Sequence, residues 1–265
     1  LNVTGVQPCA LPISTEQLDD FFARAATWSA DEVAAGASDL MVALVQRYGD
    51  AVATAAADWY ERLRAAEVTG TYEALLADPL PTQQVESTVR ALSRGLYGPD
   101  ADWTQVRSAL GGALQRYVAE QARSTIERNA LKDKAARRFA RVPQGGRTCA
   151  FCAMLASRGF AYTSAKAAGE AHKYHDRCDC LVVPAFGDDD PVIDGYDPTA
   201  LAARYDEARK VVEKSGKPAT PQNIAAAMRQ LHPEEYTDGA GVRRSGKRKP
   251  DRKSTRLNSS HVKLS

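Results

Sequence analysis

The sequence predicts a mainly α fold, in which a helical bundle is followed by a small α+β subdomain and by C-terminal helices. Three observations predict it. Apolar residues recur at spacings of three and four through the first half of the chain, the repeat of one helix face. Proline and glycine fall between those runs and not within them, with few exceptions. Finally, Cys149-Ala-Phe-Cys152 and His175-Asp-Arg-Cys178-Asp-Cys180 lie within one 32-residue window. This places a helical bundle at 14–140, the α+β piece at 141–187 and C-terminal helices at 188–240.

From Ser14 to about Val142 the chain reads as helix. Ser29-Ala-Asp-Glu32 is a capping-box pattern, in which the serine accepts from a first-turn amide and the glutamate reaches back. Leu40, Ala43, Leu44, Tyr48, Val52, Ala55 and Ala56 then form one apolar stripe, continued by Trp59 and Leu63, with Gly49 as a candidate break. Trp59-Tyr60 is read as core packing. Pro79 and Pro81 stop this run, and Thr82 is placed as the cap of a helix reaching about Tyr97. Trp103, Val106, Leu110, Leu114, Tyr117, Val118 and Ile126 mark a long helix, and Gly111-Gly112 is a candidate kink or close helix contact. The basic run Lys132 to Arg141 is expected to be a solvated helix face.

A CxxC paired with an HxxCxC has the spacing of a tetrahedral zinc site, because each short motif makes a turn that offers two ligands. Thiolate and imidazole are ligand types that zinc prefers. Disulfides need an oxidising compartment, and cysteines one residue apart do not readily bridge each other. Cys149, Cys152, His175, Cys178 and Cys180 are thus five candidate ligands for the four places of one structural zinc per chain. Cys149 and Cys152 are the firmest, two of the other three complete the shell, and the spare group is left to hydrogen-bond a ligand. His172 is placed at the surface. Cys149 to about Arg158 is expected to turn into a short helix closed by Gly159, and Cys180-Leu-Val-Val183 reads as a strand. Gly187-Asp-Asp-Asp-Pro191 is a solvated loop and not a calcium site. Asp197-Pro198 opens a helix to about Ser215, and Gln222 to His232 is the last helix.

The stretch Arg141-Val-Pro-Gln-Gly-Gly-Arg-Thr-Cys149-Ala-Phe-Cys152, then Tyr162, Ala168-Gly169, and His175-Asp-Arg-Cys178-Asp-Cys180-Leu-Val-Val-Pro184, resembles the phage Mu F-like minor head (head morphogenesis) proteins of tailed phages, in their actinobacteriophage variety. The resemblance covers about 14 to 240. It departs from the pattern at Asp176, where many relatives have proline, but the ligand residues are kept. What it implies is a minor capsid protein inside the head beside the portal, with the portal and other capsid proteins as partners. Synthesis would be in the host cytoplasm and residence in the virion. The residues themselves offer no catalytic constellation, although relatives are sometimes labelled capsid maturation proteases, and no small-molecule substrate is expected. Residues 1–13 and the far C-terminus, Arg252 to Ser265, resemble translated sequencing-adapter read-through and are set aside, with Cys9 and His261.

Charge and composition weigh the alternatives. The formal charge is +2, yet nine of the 35 basic residues and one of the 33 acidic residues fall in 241–265. The rest of the chain is therefore acidic, at −6, which argues against the alternative of a zinc-ribbon nucleic-acid adaptor. The run Arg243 to Lys249 is the one candidate contact for phage DNA. A capsid maturation protease needs a nucleophile with a partnered base, and a metal-dependent nuclease needs more histidines than His172, His175 and His232. No apolar run approaches the roughly 18 residues of a membrane span, and no secretory signal is expected.

Overall fold

The computed structural model describes residues 10–163, 175–176 and 178–237. Cys9, Ala168-Gly169, His172 and the basic residues 241–265 lie outside the described residues. The described chain is mainly α, in the order α1 (Ala10–Arg24), α2 (Ala30–Glu67), α3 (Thr82–Leu92), α4 (Trp103–Lys132), β1 (Ala136–Val142), β2 (Thr148–Cys149), α5 (Ala150–Ala156), β3 (Leu181–Phe186), α6 (Pro198–Lys214), α7 (Pro221–Leu231) and β4 (Tyr236–Thr237).

Each start has a local cause. Ser29 closes the expected capping box on α2, its hydroxyl accepting from Glu32 N at 3.3 Å while Glu32 Oε2 accepts from Ser29 N at 2.8 Å. Asp102 caps α4, Asp197 caps α6 ahead of Pro198, and Thr220 caps α7 ahead of Pro221. At α3, however, Thr82 is the first helical residue and Pro81 takes the cap position with no side-chain bond; the helix ends at Leu92 and tightens into a 3₁₀ turn over Ser93–Leu96.

α1, α2 and α3 pack on α4. The buried stripe of α2 runs through Val33, Ala37, Met41, Leu44, Val45, Val52, Ala56 and Trp59, while Ala43 and Ala55 face solvent. The expected stripe is thus rotated by one position in places. Alanine's small apolar surface does not decide a helix face, whereas Met41 and Val45 do. α2 passes Gly49 unbroken because a side chain is what that site lacks room for. A Cβ there would stand 3.0 Å from Gln121 Cγ of α4, so glycine lets the two helices approach.

The basic run before the cysteines is a strand and not a helix face. β1 pairs antiparallel with β3, with Phe139 opposite Pro184, Arg141 opposite Val182 and Val142 opposite Leu181. Its partner lies some forty residues on, beyond the reach of a local reading. Arg138 points outward, donating to Asp190 Oδ1 at 2.8 Å and to the carbonyls of Gly187 and Asp188, whereas Arg141 is buried. The two strands rest on α4, and one buried cluster joins Leu110, Leu114 and Ile126 of α4 to Phe139 and Val183. A second cluster gathers Ala153 and Met154 of α5, Ala208 and Val212 of α6, Ile224 and Met228 of α7, and Tyr236. β2 and β4 pair in parallel, which ties the start of α5 to the C-terminal helices.

Residues 68–81 carry no helix or strand and lie against α4 as an extended strap, held by one face of that helix. Asn129 Oδ1 accepts from Leu75 N at 2.8 Å and from Tyr72 Oη at 3.0 Å, and its Nδ2 donates to Leu75 O at 2.8 Å and to Thr125 O at 2.7 Å. Thr125 Oγ1 accepts from Ala77 N at 3.0 Å. Both donors and both lone pairs of a fully buried amide are thereby used. Asn129→Ala leaves buried backbone groups unpaired and is expected to cost about 3 kcal/mol in urea unfolding. Faster amide exchange confined to 72–77 is the accompanying sign, and an unchanged unfolding midpoint would refute the assignment.

Candidate metal centre

All four described cysteines and the one histidine near them converge where α5 begins, below the end of the β1–β3 pair. Cys149 is the N-cap of α5, its Sγ accepting from Cys152 N at 3.2 Å, so the CxxC turn is also the helix start. Ala150 and Met154 anchor this turn in the second buried cluster. Gly159, with φ +62°, follows the last helical residues in the left-handed conformation that glycine adopts readily. On the other arm Cys178 precedes β3 by a loop, and Cys180 immediately precedes Leu181. His175 Nε2 stands 2.9 Å from Cys149 Sγ and 3.1 Å from Cys152 Sγ, and Cys152 Sγ is 3.5 Å from Cys178 Sγ. The donor atoms form two overlapping triads, Cys149–Cys152–His175 and Cys152–Cys178–Cys180, with Cys152 in both. These groups are close enough to hold a metal ion.

The spacing of the two sulfurs that join the triads suits a tetrahedral ion. With metal–sulfur bonds of about 2.3 Å, two thiolates on one tetrahedral centre stand about 3.8 Å apart, close to the 3.5 Å between Cys152 and Cys178. His175 is turned correctly for the task. Its Nδ1 lies 2.8 Å from the carbonyl oxygen of Asp176. A carbonyl can only accept, so Nδ1 carries the proton, and in a neutral ring Nε2 is the nitrogen left with a lone pair for a metal.

The same proximity sets the acidities. The Cys149 thiol is pulled down to about 5 by the hydrogen bond from Cys152, against burial, with His175 assisting. Cys178 is lowered by hydrogen bonds from Cys152 and Cys180, with Arg123 and Arg141 nearby. Cys152 is raised, since it is the thiol that donates to Cys149, and Cys178 and Cys180 push in the same direction. For Cys180 the hydrogen bond from Cys152 lowers, but Cys178 and burial outweigh it and the thiol is raised. Burial pulls His175 down, yet its bond to Cys149 and that sulfur's charge prevail and lift it to about 9. Five groups thus compete for a few protons in one buried space, an arrangement in which a divalent cation would displace those protons.

Residues beyond the five candidate ligands complete the site. Asp179, the residue between the CxC cysteines, accepts from Thr148 Oγ1 at 2.8 Å and from Gly145 N at 2.9 Å, fastening one arm to the other. A Cβ on Gly145 would stand 2.9 Å from Asp179 Oδ2, so a side chain there would press on that carboxylate. Arg123 of α4 donates from Nε to Cys180 O at 2.7 Å and from Nη2 to Cys178 O at 2.6 Å. Arg116 pairs with Asp176 at 2.7 Å. Arg141 Nη2 lies 3.5 Å from Cys178 Sγ and 3.9 Å from Cys152 Sγ. Sequence reasoning missed these arginines because they lie on α4 and β1. A strand assignment for 136–142 is the one signal that would have turned Arg141 inward.

A relative from Mycobacterium phage L5, the Gene 15 protein, is 32% identical to this chain over 39% of the chain and 47% of the relative. The chain spans about half the length of that relative. No solved structure matches it. The model of the VG15 protein family matches residues 13–208, a span that holds the helices packed on α4 and every candidate ligand. This chain is a phage protein and belongs to the VG15 family.

Proposed function

We infer that this protein is a minor capsid, or head morphogenesis, component of a tailed phage, seated inside the head beside the portal, and that its Cys/His cluster is a structural zinc site. The observation that carries the reading is the centre itself within a phage family. Five protein donors gather in two triads that share Cys152, with a sixth side chain, Arg141, against the sulfurs of Cys178 and Cys152. Such crowding suits a closed site, whereas a catalytic zinc keeps a place for water. Zinc follows from the donors, since thiolate and imidazole in tetrahedral array select it over magnesium or calcium. Four ligands from Cys149, Cys152, His175 and Cys178 are the preferred set, with Cys180 beside them. His232, the other described histidine, pairs with Glu207 at 2.9 Å on the C-terminal helices and lies close to Glu234 and Glu235. Among the described residues no helix is long and apolar enough to cross a membrane.

On this reading the partners are the portal and other capsid proteins, and the zinc orders a segment whose own core is small. Two measurements test it separately. Mass spectrometry of purified particles of the encoding phage should find the chain in far fewer copies than the major capsid protein, and its absence from particles would remove the capsid role. Metal analysis of the reduced protein should give about one zinc per chain, with the melt lowered by a chelator. Metal-free reduced protein that melts unchanged would remove the zinc.

A further inference from the structure

We propose that Arg141 is a positioning residue of the metal centre, a buried guanidinium that donates to the ligating sulfurs and balances the charge of a three-thiolate zinc site. The inference rests on the zinc reading above. Arg141 is 0% exposed and sits near the C-terminal end of β1, opposite Val182, two residues beyond the core residue Phe139. Its backbone is therefore fixed by the strand pair and by the helical core beneath. A guanidinium in such a place needs negative charge and hydrogen-bond acceptors, because burial of an unpaired charge is costly. Zinc with the thiolates of Cys149, Cys152 and Cys178 and the neutral imidazole of His175 carries a net charge of −1. Arg141, at +1, brings the assembly to neutrality.

The contacts fit that role. One Nη2 reaches Cys178 Sγ at 3.5 Å and Cys152 Sγ at 3.9 Å, so the cation sits astride two sulfurs. Those two sulfurs are the ones that link the CxxC arm to the CxC arm. Arg123, equally buried, meets the same loop differently, through the carbonyls of Cys178 and Cys180. Arg123 thus shapes the backbone of the arm, while Arg141 acts on the sulfur atoms. A lysine offers a point charge with no planar fork and would serve only in part.

The test uses the full chain with Arg141→Met and Arg141→Lys, zinc affinity from chelator competition, and the absorption spectrum of the cobalt-substituted form. Arg141→Met should still take one cobalt with a tetrahedral thiolate spectrum, and its zinc affinity should fall about 10–100-fold. Arg141→Lys should recover part of the loss. The melting penalty of Arg141→Met should be larger in the zinc-loaded protein than in the chelated protein, which a packing role alone would not produce. Unchanged zinc affinity, or an equal penalty in both forms, would overturn the role of Arg141 and leave the zinc site standing. A wild-type chain that takes up no zinc would instead overturn the underlying reading. If Arg141→Met does not fold, the affinity of Arg141→Lys decides: wild-type affinity overturns the charge-and-fork argument, and an intermediate loss supports it.

Discussion

Cys152→Ser is expected to abolish metal binding and to destabilise the protein by about 5 kcal/mol or more, the range reached when a structural metal is lost. Cys152 is the one residue present in both triads, so no tetrahedral set drawn from this cluster survives without it. A hydroxyl at that position is a poor zinc ligand, and it leaves His175, Cys178 and Arg141 facing a gap in a fully buried space. For a chain of this size the melt should fall by about 10–20 °C. The loss should be uneven. Amide protection should vanish from the start of α5 and from the segment leading into β3, while α2 and α4, whose buried residues lie in a cluster separate from the cysteines, keep theirs. Cys178→Ser should behave like Cys152→Ser, and Cys180→Ser should keep its metal at a cost of about 1–3 kcal/mol for a buried hydroxyl. Retention of one zinc by Cys152→Ser would remove the tetrahedral assignment, and loss of zinc from Cys180→Ser alone would exchange Cys180 for Cys178 in the ligand set.

The gathering of these five side chains was legible in the sequence because the candidate ligands come as two short local motifs, and local spacing is what a sequence displays. The helices were legible for the same reason, through Ser29-Ala-Asp-Glu32, Asp197-Pro198 and the stripe from Val106 to Ile126. What holds the two motifs together was not legible. Arg123, Arg141 and the Thr148–Asp179 bond connect residues 31 to 57 positions apart, and nothing at either end advertises the other. The run Lys132 to Arg141 shows the limit well. Its charges suggested a solvated helix, yet the residue that matters most to the site is the one basic side chain in that run that is fully buried, on a strand where it pairs with Val182. Glycine was ambiguous in the same way. Gly49 looks like a helix break, but its meaning is set by Gln121 on another helix.

The corner from which β1 departs toward the site should be nearly as sensitive as the site itself. Asp133 follows the last residue of α4, and its buried carboxylate accepts from Arg64 Nε at 2.6 Å, from Tyr60 Oη at 3.3 Å and from Ala135 N at 2.9 Å. Arg64 in turn donates to Gly70 O at 2.9 Å and stacks its guanidinium 5.3 Å from the Tyr72 ring centre. Burial and the neighbouring Asp133 charge push the Tyr60 hydroxyl upward, so it remains a donor throughout the working pH range. One carboxylate thus joins the ends of α2 and α4, the strap and the first residues of β1. Asp133→Ala strands the Arg64 charge in a largely buried place and is expected to cost about 3–5 kcal/mol. Asp133→Asn keeps the shape and an acceptor and should cost less. The decisive comparison is the double variant with Arg64→Met. If the cost comes from an unpaired buried cation, Arg64→Met/Asp133→Ala is more stable in urea unfolding than Asp133→Ala alone, a coupling that a double-mutant cycle reads directly. Strictly additive losses would mean that Asp133 acts through Tyr60 and the Ala135 amide and not through the ion pair. Because β1 carries Arg141 from this corner to the sulfurs, Asp133→Ala should also weaken zinc binding, whereas a variant at the exposed Arg209–Glu213 pair of α6 should leave it unchanged.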